Sequence, residues 1–198
     1  MEKKDDLTSQ TLRIVIDSYE NILGTRGKNS ILNFAKLGEY ITTPPEYIDE
    51  KMFPQSHADR ILRASSVIIG EDGTKAILVR AGKDTMKHVV SKNEAARMLS
   101  ESPDMTPRAK MEALLNMYAM EINRPPDFEF TEDGAVFHNP GCTLCDGMKT
   151  KKPFCNYATG IFEGMGIFIA GFENARCEET LCKASGDDEC RYDIVYEG

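Results

Sequence analysis

The residues most able to do chemistry in this chain are its six cysteines, and none precedes Cys142: they are Cys142, Cys145, Cys155, Cys177, Cys182 and Cys190. The densest pattern is Glu179-Thr180-Leu181-Cys182, followed after seven residues by Cys190. Side chains three apart on a strand point to opposite faces, so Glu179 and Cys182 can share a target only across a bulge. A turn through Gly186 folds Cys190 back toward Cys182. Cys155 lies near the start of an apolar helix, where the helix dipole favours a thiolate. Cys155, Glu179, Cys182 and Cys190 would then form a closed set of three sulfurs and one oxygen. That set suits tetrahedral Zn2+ in a structural role and would tie the helix to the C-terminal hairpin. The alternative is that Cys182 and Cys190 are small core residues of a strand pair. Cys142-Thr143-Leu144-Cys145 is a second feature with three readings. It is idle, or it is a thiol switch with Cys177, or it supplies metal ligands with His138 nearby. In the last case the rival set is Cys142, Cys145, Cys182 and Cys190.

The surrounding composition restricts these readings. Met1-Glu2-Lys3-Lys4-Asp5-Asp6 lacks the apolar core of a signal peptide, and no apolar run reaches the roughly 18 residues of a membrane span. A soluble, cytoplasmic protein is therefore expected. Its thiols would stay reduced, which favours metal or redox chemistry over a disulfide framework. The 198 residues, 41% of them apolar, suit one domain with a real core. With 24 basic and 32 acidic residues, the net charge of −8 argues against a basic face for direct binding of nucleic acid. The final 28 residues alone carry eight acids against three bases. No phosphate-cradling glycine loop and no Ser/His/Asp set is present. His57 and His88 read as surface residues.

The elements that must position these side chains follow from periodicity. Leu12, Val15, Ile16, Tyr19, Ile22 and Leu23 form a helical stripe that Gly24 should end. A second helix should run from Gly27 to Gly38. Residues 56–70 and 74–82 read as helical, with Gly70 and Gly73 between them and a strand as the alternative for the short apolar run 74–82. A short helix is expected over 93–99. Another starts at Pro107, carries Met111, Leu114, Leu115, Tyr118 and Ile122, and stops at Pro125-Pro126. Phe128 and Phe130, then Ala135-Val136-Phe137, flank an Asp-Gly turn and predict a hairpin. Residues 154–171 are apolar nearly all round and predict a buried helix. Residues 173–183 and 189–196 predict two strands. The layout is α+β: helices packed on a small antiparallel sheet of about four strands.

Cys155-Asn156-Tyr157-Ala158-Thr159-Gly160-Ile161-Phe162-Glu163-Gly164, together with Glu179-x2-Cys182-x3-Gly186-x3-Cys190-x-Tyr192-x-Ile194, closely resembles the 4-vinyl reductase domain. That family has the ligand-binding fold shared by nitric-oxide signalling haem domains and TRAPP vesicle-tethering subunits. The resemblance covers most of residues 10–196. It implies a flexible segment 1–9 and a single domain over 10–198, with a helical extension over 10–52 and a core over 53–198. In the family's aromatic-sensing activators the matching Cys, Glu, Cys and Cys bind zinc, which implies Cys155, Glu179, Cys182 and Cys190 here. The sensors' ligand cavity implies a hydrophobic pocket lined by Tyr118, Phe130, Phe137, Tyr157, Ile161, Phe162, Met165 and Phe168. Ordinary core packing is the alternative for each of these residues. The function implied is a stand-alone sensor of a small hydrophobic or aromatic ligand, acting as a homodimer through a protein partner. A thiol-redox scaffold, a TRAPP-like assembly module and an accessory role in tetrapyrrole metabolism are the alternatives. No acid/base pair argues for an enzyme.

Overall fold

The computed structural model describes residues 6–48, 51–122, 125, 127–142, 144–145 and 148–197. The chain forms two compact units, residues 1–81 and 82–198. The expected flexible segment 1–9 lies partly outside the described residues.

In the first unit, α1 (Ser9–Phe34) is capped by the Thr8 side chain, which accepts from the Thr11 N–H. Gly24 bends it without ending it: at φ 70 the backbone turns, and helix resumes on the other side. Glycine tolerates that conformation, whereas a residue with a Cβ would be strained there. Leu12, Ile16, Tyr19, Ile31 and Leu32 are buried. A short α2 (Glu39–Thr42) follows. β1 (Asp6–Thr8) pairs antiparallel with β2 (Met52–Pro54), two strands that sequence periodicity did not indicate. α3 (Gln55–Lys92) bends at Gly70, also at positive φ. Residues 74–82 are helical, as their apolar run predicts. The Tyr19 O–H donates to Ser65 Oγ at 2.8 Å and so remains paired in the core.

The second unit contains the end of α3, three further helices and a four-stranded antiparallel sheet. α4 (Glu94–Glu101) is capped by Asn93. α5 (Pro107–Glu121) is capped by Thr106, with Pro107 in its first turn. α6 (Asn156–Gly164) continues as a wider, π-helical turn over Met165–Ala170 and ends at Gly171 in the left-handed region. The buried helix of the sequence is therefore two pieces. The sheet order is β3 (Phe128–Phe130), β4 (Gly134–Asn139), β6 (Cys190–Glu197), β5 (Asn174–Leu181). This is the α+β architecture that the sequence predicts.

Register places the sheet's large residues together. Phe137 stands opposite Phe128 on one side and Tyr192 on the other. Over this face pack Tyr118 of α5 and Phe162 of α6. Ring centroids are 5.0 Å apart for Tyr118–Phe162, 5.2 Å for Phe137–Phe162, 5.1 Å for Phe162–Tyr192 and 5.6 Å for Tyr118–Phe137. Such pairs add about 0.5–1.5 kcal/mol each beyond the area they bury. α3 meets α6 at Gly82, where an added Cβ would lie 2.2 Å from the Tyr157 carbonyl oxygen. Lys83 Nζ is 2.5 Å from Glu163 Oε2 across the same contact. Among the described residues, no helix is long and apolar enough to cross a membrane.

Candidate functional site

The aromatic layer abuts a buried group of five thiols. Cys155 is the cap residue of α6 and Cys190 opens β6. Cys182 follows β5, where its N–H donates to Asp187 Oδ2 at 2.8 Å and its carbonyl accepts from the Ser185 hydroxyl at 2.8 Å. Between Glu179 and Leu181 the ladder slips by one residue, the bulge that the three-residue spacing to Cys182 requires. Cys142 and Cys145 lie on the connection from β4 to α6. That connection is held by the Thr150 N–H donating to the Ala184 carbonyl at 2.9 Å and by Lys183 Nζ donating to the Pro140 carbonyl at 3.0 Å.

The sulfur separations are regular. Cys142 and Cys155 lie 3.5 Å apart, Cys145 and Cys190 3.6 Å, Cys155 and Cys190 3.9 Å. Cys182 is 4.0 Å from both Cys155 and Cys190. A disulfide needs about 2.05 Å, and all six cysteines are free. Metal–thiolate bonds of about 2.3 Å place tetrahedral sulfurs about 3.8 Å apart, which is the spacing seen. Two sets of four ligand atoms lie within 4.8 Å of one another: Cys142, Cys145, Cys155, Cys190, and Cys155, Glu179, Cys182, Cys190. Every member is buried. The cluster is compatible with metal binding.

Glu179 is the site's unbalanced group. Its Oε2 accepts the Cys155 N–H at 2.6 Å. Its Oε1 is buried and has no hydrogen-bond partner. Burial, followed by the charge of Cys182, pushes its carboxyl up to about 9. The thiols divide their protons. Hydrogen bonds from Cys145, Cys155 and Cys190 hold Cys142 far below an ordinary thiol. Cys145 is opposed by Cys142, but hydrogen bonds from Cys155, Cys182 and Cys190 bring it down to about 4. Cys182 is likewise opposed by Cys145 and brought down to about 5 by Cys155 and Cys190. Cys155 and Cys190 are pushed up, in each case first by the hydrogen bond with Cys142, because they keep protons and donate them. Among the described residues, no buried basic side chain offsets these charges. Among the described residues the one buried cation is Lys110, whose Nζ donates to the Ser100 carbonyl. Buried charge without a partner is costly, so the cluster favours either protons or an added cation.

The remaining predicted residues fall elsewhere. Cys177 is outside the cluster. Its N–H donates to Glu163 Oε1 at 3.1 Å, and burial pushes its thiol up. Tyr118, Phe137 and Phe162 form the packed aromatic layer, with Ile161 and Met165 buried beside them. Tyr157 shares a hydrogen bond with the Thr85 hydroxyl at 2.8 Å. Phe130 and Phe168 are half-buried, under Arg108 and Lys87 respectively. His138 is paired with Glu189 at 2.9 Å and does not enter either ligand set. The residue that sequence reasoning missed is Tyr192, whose hydroxyl lies 3.9 Å from Cys142 Sγ. Its alternation with Cys190 on β6 was the available signal.

No protein-family model matches the sequence, and no curated protein matches it. Solved structures do share its architecture. An H-NOX protein from S. oneidensis in its Fe(II)NO state aligns with a TM-score of 0.59 at 11% identity, covering 93% of this chain and 98% of that one. An H-NOX-family protein studied for haem distortion aligns at 0.58 and 12% identity, covering 96% and 94%. A variant of the T. tengcongensis H-NOX aligns at 0.58 and 14% identity, covering 97% and 98%. The fold is that of the H-NOX domains. It is the nitric-oxide signalling fold that the sequence motifs imply, although nothing found here ties the chain to 4-vinyl reductases.

The likeness corrects the cofactor expectation. The group named for these proteins is haem, and the assignment of Zn2+ is withdrawn. The geometry does not single out the Cys155, Glu179, Cys182, Cys190 quartet either, since six donors converge where four positions would be filled. The described core of the second unit offers haem no imidazole anchor. An axial imidazole is the usual haem anchor in sensor and globin pockets, and none of the three histidines lies in the buried core of the second unit. His57 is hydrogen-bonded to the Tyr40 hydroxyl in the first unit. The face between helices and sheet is filled by the ring contacts of Phe162.

Proposed function

We propose that this chain is a small-molecule sensor domain built on a buried thiol centre for one soft metal ion, rather than on a haem. The observation that carries the reading is the convergence of Cys142, Cys145, Cys155, Cys182 and Cys190 with the unpartnered Glu179 oxygen, with no buried cation beside them among the described residues. The H-NOX fold supports the sensor role by analogy, and the chemistry is argued from the site because fold alone does not carry it. The signal is a molecule small enough to enter a packed core and able to bind thiolates or take the ion from them. Output passes to a protein partner, with the chain acting as a homodimer.

The test is an anaerobic titration of the reduced protein with Co2+. One equivalent should bind, with an intense thiolate-to-metal charge-transfer band, and the clustered thiols should become resistant to alkylation. Absence of the band, or unchanged alkylation, would contradict the proposal. Added haemin should give no stoichiometric Soret shift.

A second reading is a dithiol switch. It is favoured by the close pairs Cys142–Cys155 and Cys145–Cys190, each of which joins a thiolate to a thiol that keeps its proton. Oxidation by peroxide to those two disulfides would remove four hydrogens per chain, read by intact mass.

A further inference from the structure

The two ligand sets share two members, and that overlap has a consequence for regulation. Cys155 and Cys190 belong to both sets. The other positions can be filled from the β4–α6 connection, by Cys142 and Cys145, or from the C-terminal hairpin, by Glu179 and Cys182. Four-coordinate soft ions accept four such donors, so the two arms cannot both be used in full. We infer that one ion stays anchored on Cys155 and Cys190 and exchanges between these two arms, so that ligand choice sets the position of the β4–α6 connection. The inference rests on the metal-centre reading above.

The arms differ in chemistry and in restraint. The connection arm completes a four-sulfur set, while the hairpin arm offers three sulfurs and one oxygen. A soft ion prefers the former. Glu179 sits in the sheet ladder opposite Tyr192, and Cys182 is fastened through both its N–H and its carbonyl. The connection's own ties to the hairpin lie at Pro140 and Thr150, so exchange moves Cys142 and Cys145 between those ties rather than the hairpin. Released from the ion, Cys142 retains the Tyr192 hydroxyl as a neighbour and Cys145 retains the Met148 N–H on its carbonyl. The unpartnered Glu179 oxygen is then the group left waiting for the ion. A molecule that blocks Cys142 and Cys145 would leave the ion bound and free the connection, converting a thiol reaction into a change of surface without unfolding the core.

The experiment uses Cd2+ as the probe, with X-ray absorption at the cadmium edge to count sulfurs and chelator competition to read retention. Wild type should bind one ion with four sulfurs. Cys142→Ser/Cys145→Ser should still bind one ion, with three sulfurs and one oxygen. Glu179→Gln/Cys182→Ser should keep four sulfurs, and Cys155→Ser/Cys190→Ser should lose the ion. If either arm variant loses the ion as completely as the shared-pair variant, or if removal of Cys142 and Cys145 leaves the sulfur count unchanged, the exchange is refuted while the metal centre stands. If wild type binds no Cd2+, the metal-centre reading itself fails. Should a double variant lose its helical circular dichroism, Cys145→Ser and Cys182→Ser singly carry the same comparison.

Discussion

Replacing Gly82 by alanine tests how the fold delivers Cys155 to the thiol cluster. The added Cβ would lie 2.2 Å from the Tyr157 carbonyl oxygen, 2.6 Å from the Ile161 nitrogen and 2.8 Å from the Gly160 carbonyl carbon. Ordinary contact with a Cβ begins near 3.4 Å. All three neighbours are backbone, so no side chain can swing away, and α6 must move by about an ångström. Overpacking of a core costs about 1–3 kcal/mol. In a unit of roughly a hundred residues, each kcal/mol lowers Tm by about 4–8 °C. The metal-free variant should therefore melt about 4–24 °C below wild type. Cys155 caps the helix that is displaced, so Co2+ affinity should fall as well, although no ligand is altered. Differential scanning calorimetry and the Co2+ charge-transfer titration read the two effects. A Gly82→Ala protein with wild-type Tm and wild-type Co2+ affinity would refute the proposed packing of α3 on α6.

Three further outcomes follow from the same geometry. Phe162→Ala removes the ring that contacts Tyr118, Phe137 and Tyr192, and chemical denaturation should show a loss of about 3–5 kcal/mol; a loss below 1 kcal/mol would mean that the layer is not packed as described. Asn93→Ala deletes the side chain that accepts the Ala96 N–H at 3.0 Å, and should cost about 1 kcal/mol by the same assay. Metal affinity should strengthen from pH 6 to pH 9, read by Co2+ titration. Cys155, Cys190 and Glu179 are raised above their ordinary values in the metal-free protein, so they hold protons across this range and release them on binding. A flat profile would contradict that proton inventory.

Much of the site was legible because its spacing is local. Glu179, Cys182 and Cys190 lie on one hairpin, and the three-residue step from Glu179 to Cys182 forced a bulge that the ladder contains. The strands and helices of the second unit follow from alternating and three-to-four periodicity, as with Phe128, Phe130 and Phe137 or with Met111, Leu114 and Tyr118. The fate of Cys142 and Cys145 was not legible. Their place depends on how a connection closes over the hairpin, a nonlocal event held by bonds such as Thr150 to Ala184. The β1–β2 pair escaped for a similar reason, since Asp6–Thr8 carries no alternation and its partner is Met52–Pro54. Gly24 and Gly70 mark real bends, but a bend at positive φ need not end a helix. The expected Zn2+ came from the donor set of Cys155, Glu179, Cys182 and Cys190 as well as from a resemblance of motifs, and it did not survive the likeness to haem proteins of the same fold.

The thiol centre is defined by how many ions the reduced chain takes up and which thiols hold them. Native mass spectrometry of the reduced protein titrated with Cd2+, followed by alkylation and peptide mapping, reads both at once. One ion per chain is expected, with Cys155 and Cys190 protected from alkylation. A chain that binds no ion, or one whose Cys155 and Cys190 alkylate as fast with Cd2+ as without it, would contradict the thiol centre.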